Sequence, residues 1–427
     1  MITSIAVAVF VAAYLFIATE RIPRIAAALG GAAVVLALGV VGADDVFYSK
    51  STGLDWNVLF LLLGMMIMVG IVKQTGIFEY LAIWAAKRAK GDPFRVLALL
   101  CILTCLASTL LPNVAIMLVV APVTLLVCQR LDVRPEPYLI AEVLAANLGG
   151  TATLVGDPPN LIIGFRAGLS FNDFLVNLAP FVLVLLVVFI AMCRVLFRRH
   201  FDVDPDRVAE VMALSEREAI TDVGLLVRSG VVFALVLAGF LLQTVIQVEP
   251  SITAMLGAGL LILVSRLGPD SYLDEVEWET LLFFAGLFVM VGALVKVGVI
   301  DTIAGWVGSA TGGSPAWAMT ILLFGSAFLS AIVDNIPFVA TMSPVVEHLV
   351  APGGPLAGQT GLWWALALGA DLGGNATIVG ASANIVAVGI AKRNGYPIHF
   401  WQFAKYGSIV AAVTVVLALP YLLLRYA

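Results

Sequence analysis

The chain is 427 residues long, with 61% hydrophobic residues, 12% charged residues and a formal net charge of −5. Soluble globular domains contain about 45–50% apolar and about 25% charged residues. The composition therefore excludes a soluble domain and predicts a protein that crosses the membrane many times.

In chain order, the first half predicts five membrane spans and one hairpin, since a span needs roughly 20 apolar residues. The spans lie near 4–19, 25–43, 56–73, 138–165 and 175–197, and the hairpin lies at about 94–130. No basic residue precedes the first apolar run, so it is predicted to be a retained span and not a signal peptide.

A polar segment, 198–228, is predicted to be a cytoplasmic linker to a second half. That half predicts spans near 229–247, 250–266, 278–296, 362–391 and 405–425, with a hairpin at about 316–350. Both hairpins turn back at a polar pair and are interpreted as re-entrant; two full crossings for each hairpin are the alternative. The predicted fold is an all-α polytopic membrane protein with repeats at 1–197 and 229–427.

The basic residues predict the orientation, because cytoplasmic loops are enriched in Lys and Arg. With both termini outside, 19 of the 23 Lys and Arg residues fall on the cytoplasmic side. The expected location is the inner (plasma) membrane.

The two halves resemble each other in sequence. The segment "LGGTATLVGDPPN" (148–160) matches "LGGNATIVGASAN" (372–384) at eight of thirteen positions. Matches between 55–76 and 277–298, and between 108–123 and 330–345, occur in the same order. Each half has an odd number of spans, so the second repeat is inverted in the membrane, an architecture of transporters with a midplane substrate site.

Glycines, prolines and polar residues interrupt the spans at 138–165 and 362–391. Irregular backbone at membrane depth is tolerated only around a cavity or inside protein, so these broken helices predict a polar binding site. The glycine pairs are expected to allow unusual backbone angles, and Asp157 is expected to cap the restarted helix. The predicted substrate-binding residues are Asn113, Asn147, Gly149, Gly150, Thr151, Thr153, Asn335, Gly373, Gly374, Asn375 and Thr377.

Carboxylates within spans are costly and indicate function by default. The candidates for proton or cation coupling are Asp371, Asp334, Asp157 and Glu142. Asp371 and Asp334 are the most informative, because the matching positions in the first repeat are Asn147 and Pro112. Glu142 was also expected to lie near the inner interface, where it would need no explanation. No Arg or Lys lies within either break or hairpin turn, which favours a neutral solute exchanged against protons, or a cation.

The "GDPPN" segment and the later "GADLGGNATIVGASANIVAVGIAKRNG" resemble the arsenical efflux permeases of the ion-transporter superfamily. That group is related to the pigment-cell P protein, NhaD-type sodium/proton antiporters and citrate and dicarboxylate carriers. The resemblance implies a transport domain moving against a scaffold and export of arsenite or antimonite coupled to inward proton movement. It also implies, for some members, a soluble ATPase subunit, and related carriers are often homodimers. The hairpin turns "LPN" and "VDN" depart from the Ser-Asn-Thr motif of the dicarboxylate branch.

The leading hypothesis is therefore a proton-coupled arsenite or antimonite exporter, with a sodium/proton antiporter or a sodium-coupled citrate or dicarboxylate carrier as the alternative. An enzyme is not expected, because no nucleophile–base pair and no P-loop are present. We expect no cofactor, no metal site and no nucleic-acid partner. The expected partners are a small solute, protons or sodium, and the lipid bilayer.

Overall fold

The computed structural model describes residues 2–19, 21–201, 212 and 215–427, which form 22 α-helices and no strand. The helices of the first half are α1 (Ile2–Thr19), α2 (Arg24–Ala37), α3 (Ala43–Phe47), α4 (Trp56–Lys73), α5 (Ile77–Arg88), α6 (Pro93–Ser108), α7 (Asn113–Leu131), α8 (Glu136–Gly150), α9 (Pro158–Ala167), α10 (Phe171–Asn177) and α11 (Ala179–Leu196).

The helices of the second half are α12 (Val223–Leu241), α13 (Gln243–Ile246), α14 (Pro250–Ser265), α15 (Asp270–Leu273), α16 (Trp278–Lys296), α17 (Val299–Thr311), α18 (Pro315–Ser330), α19 (Asn335–Val350), α20 (Gly361–Gly374), α21 (Ser382–Arg393) and α22 (Phe400–Tyr426). Six of the described helices are long and apolar enough to span a membrane, or seven if α17 and α18, which meet at 120°, count as one span. The chain is therefore an all-helical, multi-pass membrane protein, as the composition predicted.

The two halves have the same order of helices. The helices α1, α2, α4–α9 and α11 correspond to α12, α14, α16–α21 and α22. One boundary differs from the prediction, because the second half begins at Val223 and not at residue 229. Asp222 caps α12 by accepting a hydrogen bond from the Leu225 backbone N–H at 2.8 Å. The predicted linker is correspondingly shorter, and residues 202–211, 213 and 214 of it lie outside the described part of the chain.

Packing between the halves is reciprocal. Helix α4 packs on α14 as α16 packs on α2, and α7 packs on α21 as α19 packs on α9. A Cβ on Gly64 would lie 2.8 Å from the Ala254 carbonyl carbon, and a Cβ on Gly286 would lie 2.7 Å from that of Ala28. Contacts that exchange in this way are the mark of a two-fold relation, here between the two repeats.

Two ion pairs lie at the carboxyl ends of the corresponding helices α4 and α16, with their lysines one position apart in the alignment of the repeats. Lys73, at the end of α4, lies 2.7 Å from Glu275, and Lys296, at the end of α16, lies 2.6 Å from Asp45. The Lys296 ammonium holds the pKa of Asp45 below its usual value. Partly exposed pairs of this kind contribute about 0–1 kcal/mol, so they add little to the stability of the fold.

The helices form two packed groups. The first, called the scaffold group, contains α1, α2, α4, α12, α14 and α16. The second, called the hairpin group, contains hairpin 1 (α6 and α7), hairpin 2 (α18 and α19) and the broken helices α8–α9 and α20–α21. The functional site predicted from the sequence lies within the hairpin group, where the hairpin turns meet the breaks.

Candidate functional site

The two helix breaks are built in the same way. Thr153 Oγ1 donates to the Thr109 carbonyl of the hairpin 1 turn, and Thr377 Oγ1 donates to the Ala331 carbonyl of the hairpin 2 turn at 2.6 Å. Each hydroxyl also accepts a hydrogen bond at 3.1 Å, from Gly156 N–H and Gly380 N–H respectively. Each break is therefore tied to one hairpin turn.

The same arrangement of side-chain amides in both repeats satisfies the carbonyls that each break leaves free. Asn160 Nδ2 donates to the carbonyls of Gly150 at 3.2 Å and Thr153 at 3.1 Å. Asn384 Nδ2 donates to those of Gly374 and Thr377, both at 2.8 Å. An unpaired carbonyl in an apolar environment costs several kcal/mol. These two asparagines therefore allow the helices to separate inside the protein.

The glycine pairs act differently from the prediction, which was wrong about their backbone angles. Gly149, Gly150, Gly373 and Gly374 end α8 and α20 in helical conformation and are absent from the positive-φ glycines. A Cβ on Gly149 would lie 2.1 Å from the Cys105 carbonyl oxygen, and one on Gly373 would lie 2.4 Å from that of Ala327. Glycine is required because the hairpin backbone lies directly against the broken helix.

Asparagines from both repeats meet at the centre. Asn147 Nδ2 donates to Asn375 Oδ1 at 2.9 Å and to Asn384 Oδ1 at 3.0 Å, and Asn113 Nδ2 donates to Asn147 Oδ1 at 3.4 Å. An enclosed cavity of about 30 Å³ lies beside this network. Its polar lining consists of Asn113, Asn147, Asp157, Glu277, Thr280, Asn335 and Ser382. A cavity of this volume holds about one or two water molecules.

Asp371 is buried, and neither of its carboxylate oxygens has a hydrogen-bond partner within the described residues. It lies beside Thr151 and Asn160 of the first repeat. The Thr151 hydroxyl donates a hydrogen bond to the Asn147 carbonyl at 2.9 Å. Asn160 Oδ1 and Asn375 Nδ2 have no hydrogen-bond partner among the described residues. A protonated Asp371 can donate to an oxygen such as Asn160 Oδ1, whereas an ionised Asp371 cannot.

Asp157 occupies the N-cap position of α9, but its side chain makes no capping hydrogen bond, so the predicted cap is wrong. Instead, Asp157 Oδ2 lines the cavity and accepts from Asn335 Nδ2 of hairpin 2 at 3.5 Å. Asp371 and Asp334 lie close enough to act on it electrostatically. The carboxylate thus faces the site and not the helix end.

Asp334 has a basic partner that the sequence did not suggest. Arg24 Nη1, at the start of α2, lies 3.4 Å from Asp334 Oδ2 and donates to Ser382 Oγ at 2.6 Å. Ser382 Oγ donates in turn to Asp334 Oδ2 at 2.8 Å. These groups line an open cleft of about 440 Å³, together with Arg21. No Arg or Lys lies within either break, as expected. The expectation that basic residues are missing from the core is wrong at the hairpin 2 turn, where Arg24 pairs with Asp334.

Glu142 lies apart from the other candidates and does not line the central cavity. It is completely buried, accepts a hydrogen bond from Thr124 Oγ1 at 2.7 Å through Oε1, and has no partner for Oε2 among the described residues. Glu142 therefore lies in the protein interior, and its position relative to the inner membrane interface stays a prediction.

The structure thus brings Asn113, Asn147, Asp157 and Asn335 to the cavity and places Thr151, Asn375 and Asp371 next to them. The hydroxyls of Thr153 and Thr377 already donate hydrogen bonds to carbonyls of the hairpin turns. The sequence reasoning missed Arg24, Asn160, Ser382 and Asn384. Asn160 and Asn384 could have been found, because they are identical residues at the end of the repeated segment.

Replacing Thr377 by valine is expected to lower the free energy of unfolding by about 1–3 kcal/mol, because the Ala331 carbonyl and Gly380 N–H lose a partly buried hydrogen-bond partner. Thermal unfolding in detergent measures this. Thr302 is the matched control, since its hydroxyl is bonded to the Gly298 carbonyl on an exposed helix surface. Equal melting temperatures for the two variants would contradict the role given to Thr377.

Paired broken helices and hairpins around a small polar cavity define the protein as a membrane transporter. The chain belongs to the citrate transporter family, whose sequence profile matches residues 14–369. It is 54% identical, over 99% of its own length and 98% of the relative, to an uncharacterized transporter of Mycobacterium tuberculosis. It is 53% identical over the same shares to a 46 kDa membrane protein of Mycobacterium leprae.

More distant comparisons agree with the fold. The human P protein is 31% identical over 99% of this chain, which spans 60% of that protein. The crystal structure of the Alcanivorax borkumensis YdaH transporter superposes with a TM-score of 0.55 at 16% identity, covering 93% of this chain and 96% of the other. The likeness to the YdaH transporter shows a shared fold.

Proposed function

We propose that the protein is a secondary active transporter that exports arsenite or antimonite in exchange for inward-moving protons. The observation that carries this proposal is Asp371, a buried carboxyl without a hydrogen-bond partner among the described residues, next to a cavity lined by amides, hydroxyls and the carboxyls of Asp157 and Glu277. Intramembrane carboxyls of this kind are characteristic of proton relays. The proposed location is the plasma membrane, with both termini outside.

Arsenite near neutral pH is an uncharged molecule with three hydroxyl groups. Asn113, Asn147 and Asn335 present amide groups to the cavity, and amides both donate and accept hydrogen bonds. A neutral solute needs no counter-charge, which fits a cavity without a lysine or arginine in its lining. The cavity volume of about 30 Å³ is smaller than the solute, so binding requires the hairpins to open.

In this proposal, Asp371 and Asp157 bind the protons. Two carboxylates close together in an apolar environment cannot both remain ionised at low cost. A proton bound to these carboxylates therefore competes with a solute that needs ionised carboxylates or free amides at the same site. This competition is what couples the two fluxes in opposite directions.

One observation favours a second candidate, a sodium-coupled carrier of a carboxylate such as citrate. The open cleft of about 440 Å³ has Arg21 and Arg24 on its wall, and arginine is well suited to bind carboxylates. Arg24 already contacts Asp334, however, so an anion would have to displace that carboxylate. For this reason the neutral solute is the leading proposal.

A transport assay with a panel of solutes tests the proposal. Purified protein in liposomes with an imposed pH gradient should accumulate arsenite or antimonite, and the accumulation should not require sodium. Empty liposomes and liposomes without the gradient are the controls. Accumulation of citrate that depends on sodium, without movement of arsenite, would replace the first candidate with the second.

A further inference from the structure

Arg24 connects the two groups of helices. Its backbone begins α2 in the scaffold group, and its guanidinium lies 5.7 Å from the ring centroid of Phe283 on α16 of the same group. Its Nη1 reaches the hairpin group, where it contacts Asp334 on the hairpin 2 turn and Ser382 at the start of α21.

The contact is present in only one of the two repeats. Helix α14 corresponds to α2 and begins at Pro250, so the position of Arg24 holds a proline in the other half. The positions of Asp334 and Ser382 hold Pro112 and Pro158. All three polar members are thus replaced together by prolines. The symmetric backbone of the repeats therefore does not require this cluster.

Both carboxylate oxygens of Asp334 have partners. Asp334 Oδ1 accepts from the Ile336 backbone N–H at 3.0 Å, while Oδ2 faces both Arg24 and Ser382. The Asp334 side chain is 8% exposed and that of Arg24 is 31% exposed. Asp334 is thereby anchored to its own hairpin and held across the boundary by Arg24.

We propose that Arg24, Asp334 and Ser382 form a latch that holds hairpin 2 against the scaffold group in the conformation seen here. Ser382 also lines the central cavity, so separation of the latch opens a path from the cleft of about 440 Å³ to that cavity. Because no equivalent latch exists in the first repeat, the two ends of the transport cycle differ in stability. Asp334 then serves as a gate residue, while Asp371 and Asp157 remain available for coupling.

The latch is tested by labelling a cysteine placed at Ala383, a buried residue that lines the cavity. The four native cysteines are buried, and the parental protein gives their background labelling. With a charged, membrane-impermeant thiol reagent, Arg24→Gln and Asp334→Asn should each raise the labelling rate about threefold to tenfold, as expected when one partly buried ion pair is lost. The measurement uses neither solute nor gradient, so it is independent of the substrate proposal.

Arg21→Gln is the matched control, because Arg21 lines the same cleft but makes no ion pair within the described residues. The latch predicts parental labelling for Arg21→Gln and for Arg24→Lys, which retains the charge. It also predicts that Arg24→Gln combined with Asp334→Asn labels no faster than either single variant. Equal acceleration by Arg21→Gln, additive acceleration in the double variant, or no acceleration by Arg24→Gln would overturn the proposal.

Discussion

Replacing Asp371 by asparagine is expected to reduce pH-driven arsenite uptake into everted membrane vesicles to the level of vesicles without the protein. The change replaces a carboxyl, which can bind and release a proton, by an amide of nearly the same size, which cannot. The first repeat carries an asparagine at the matching position, Asn147, and its helix ends in the same way. The variant should therefore fold and bind solute while losing coupling.

Two further measurements separate loss of coupling from loss of structure. Exchange of labelled for unlabelled arsenite, without a pH gradient, should persist in the variant. Asp301→Asn, at a side chain that is 62% exposed on α17, is the matched removal of a carboxylate and should leave uptake unchanged. Undiminished pH-driven uptake by the Asp371 variant would remove Asp371 from the mechanism.

The repeat was predictable from the sequence, because the same physical requirement acts on both halves. A break inside the protein needs a donor for the freed carbonyls and a hairpin turn close to the helix. Thr153 with Asn160 and Thr377 with Asn384 meet that requirement, and these residues are identical in the two segments. Matching segments therefore identified the helices, their breaks and most of the residues around the cavity.

The contact between Arg24 and Asp334 was not predictable in this way. The two residues are 310 positions apart, and each lies at the end of a helix where a charge is ordinary in a sequence. Their proximity follows from the packing of α2 on α16 and of α16 on α19, which periodicity does not determine. The same limit applies to Glu142, because its burial and its hydrogen bond to Thr124 of hairpin 1 both arise from packing between helices.

The glycines show a further limit, because a glycine in a sequence has two common explanations. A break in a helix suggests positive φ, yet Gly149 and Gly373 are helical and are selected by the neighbouring hairpin. Only the tertiary contact distinguishes conformational freedom from close approach. The distinction matters for mutations, since close approach can be tested by adding a single methyl group.

Gly149→Ala is therefore expected to lower the free energy of unfolding by about 3 kcal/mol, at the upper end of the cost of overpacking. The added Cβ would lie 2.1 Å from the Cys105 carbonyl oxygen. The backbone fixes the position of a Cβ, and the oxygen belongs to the backbone, so neither atom can turn aside. Thermal unfolding in detergent and the yield of monodisperse protein measure the loss. Gly389→Ala on α21 is the control, because a Cβ there meets no atom within 4 Å and the melting temperature should stay the same or rise slightly. Equal melting temperatures for the two variants would mean that hairpin 1 does not lie against α8 as closely as the structure places it. They would also contradict the contact between the hairpin and the break.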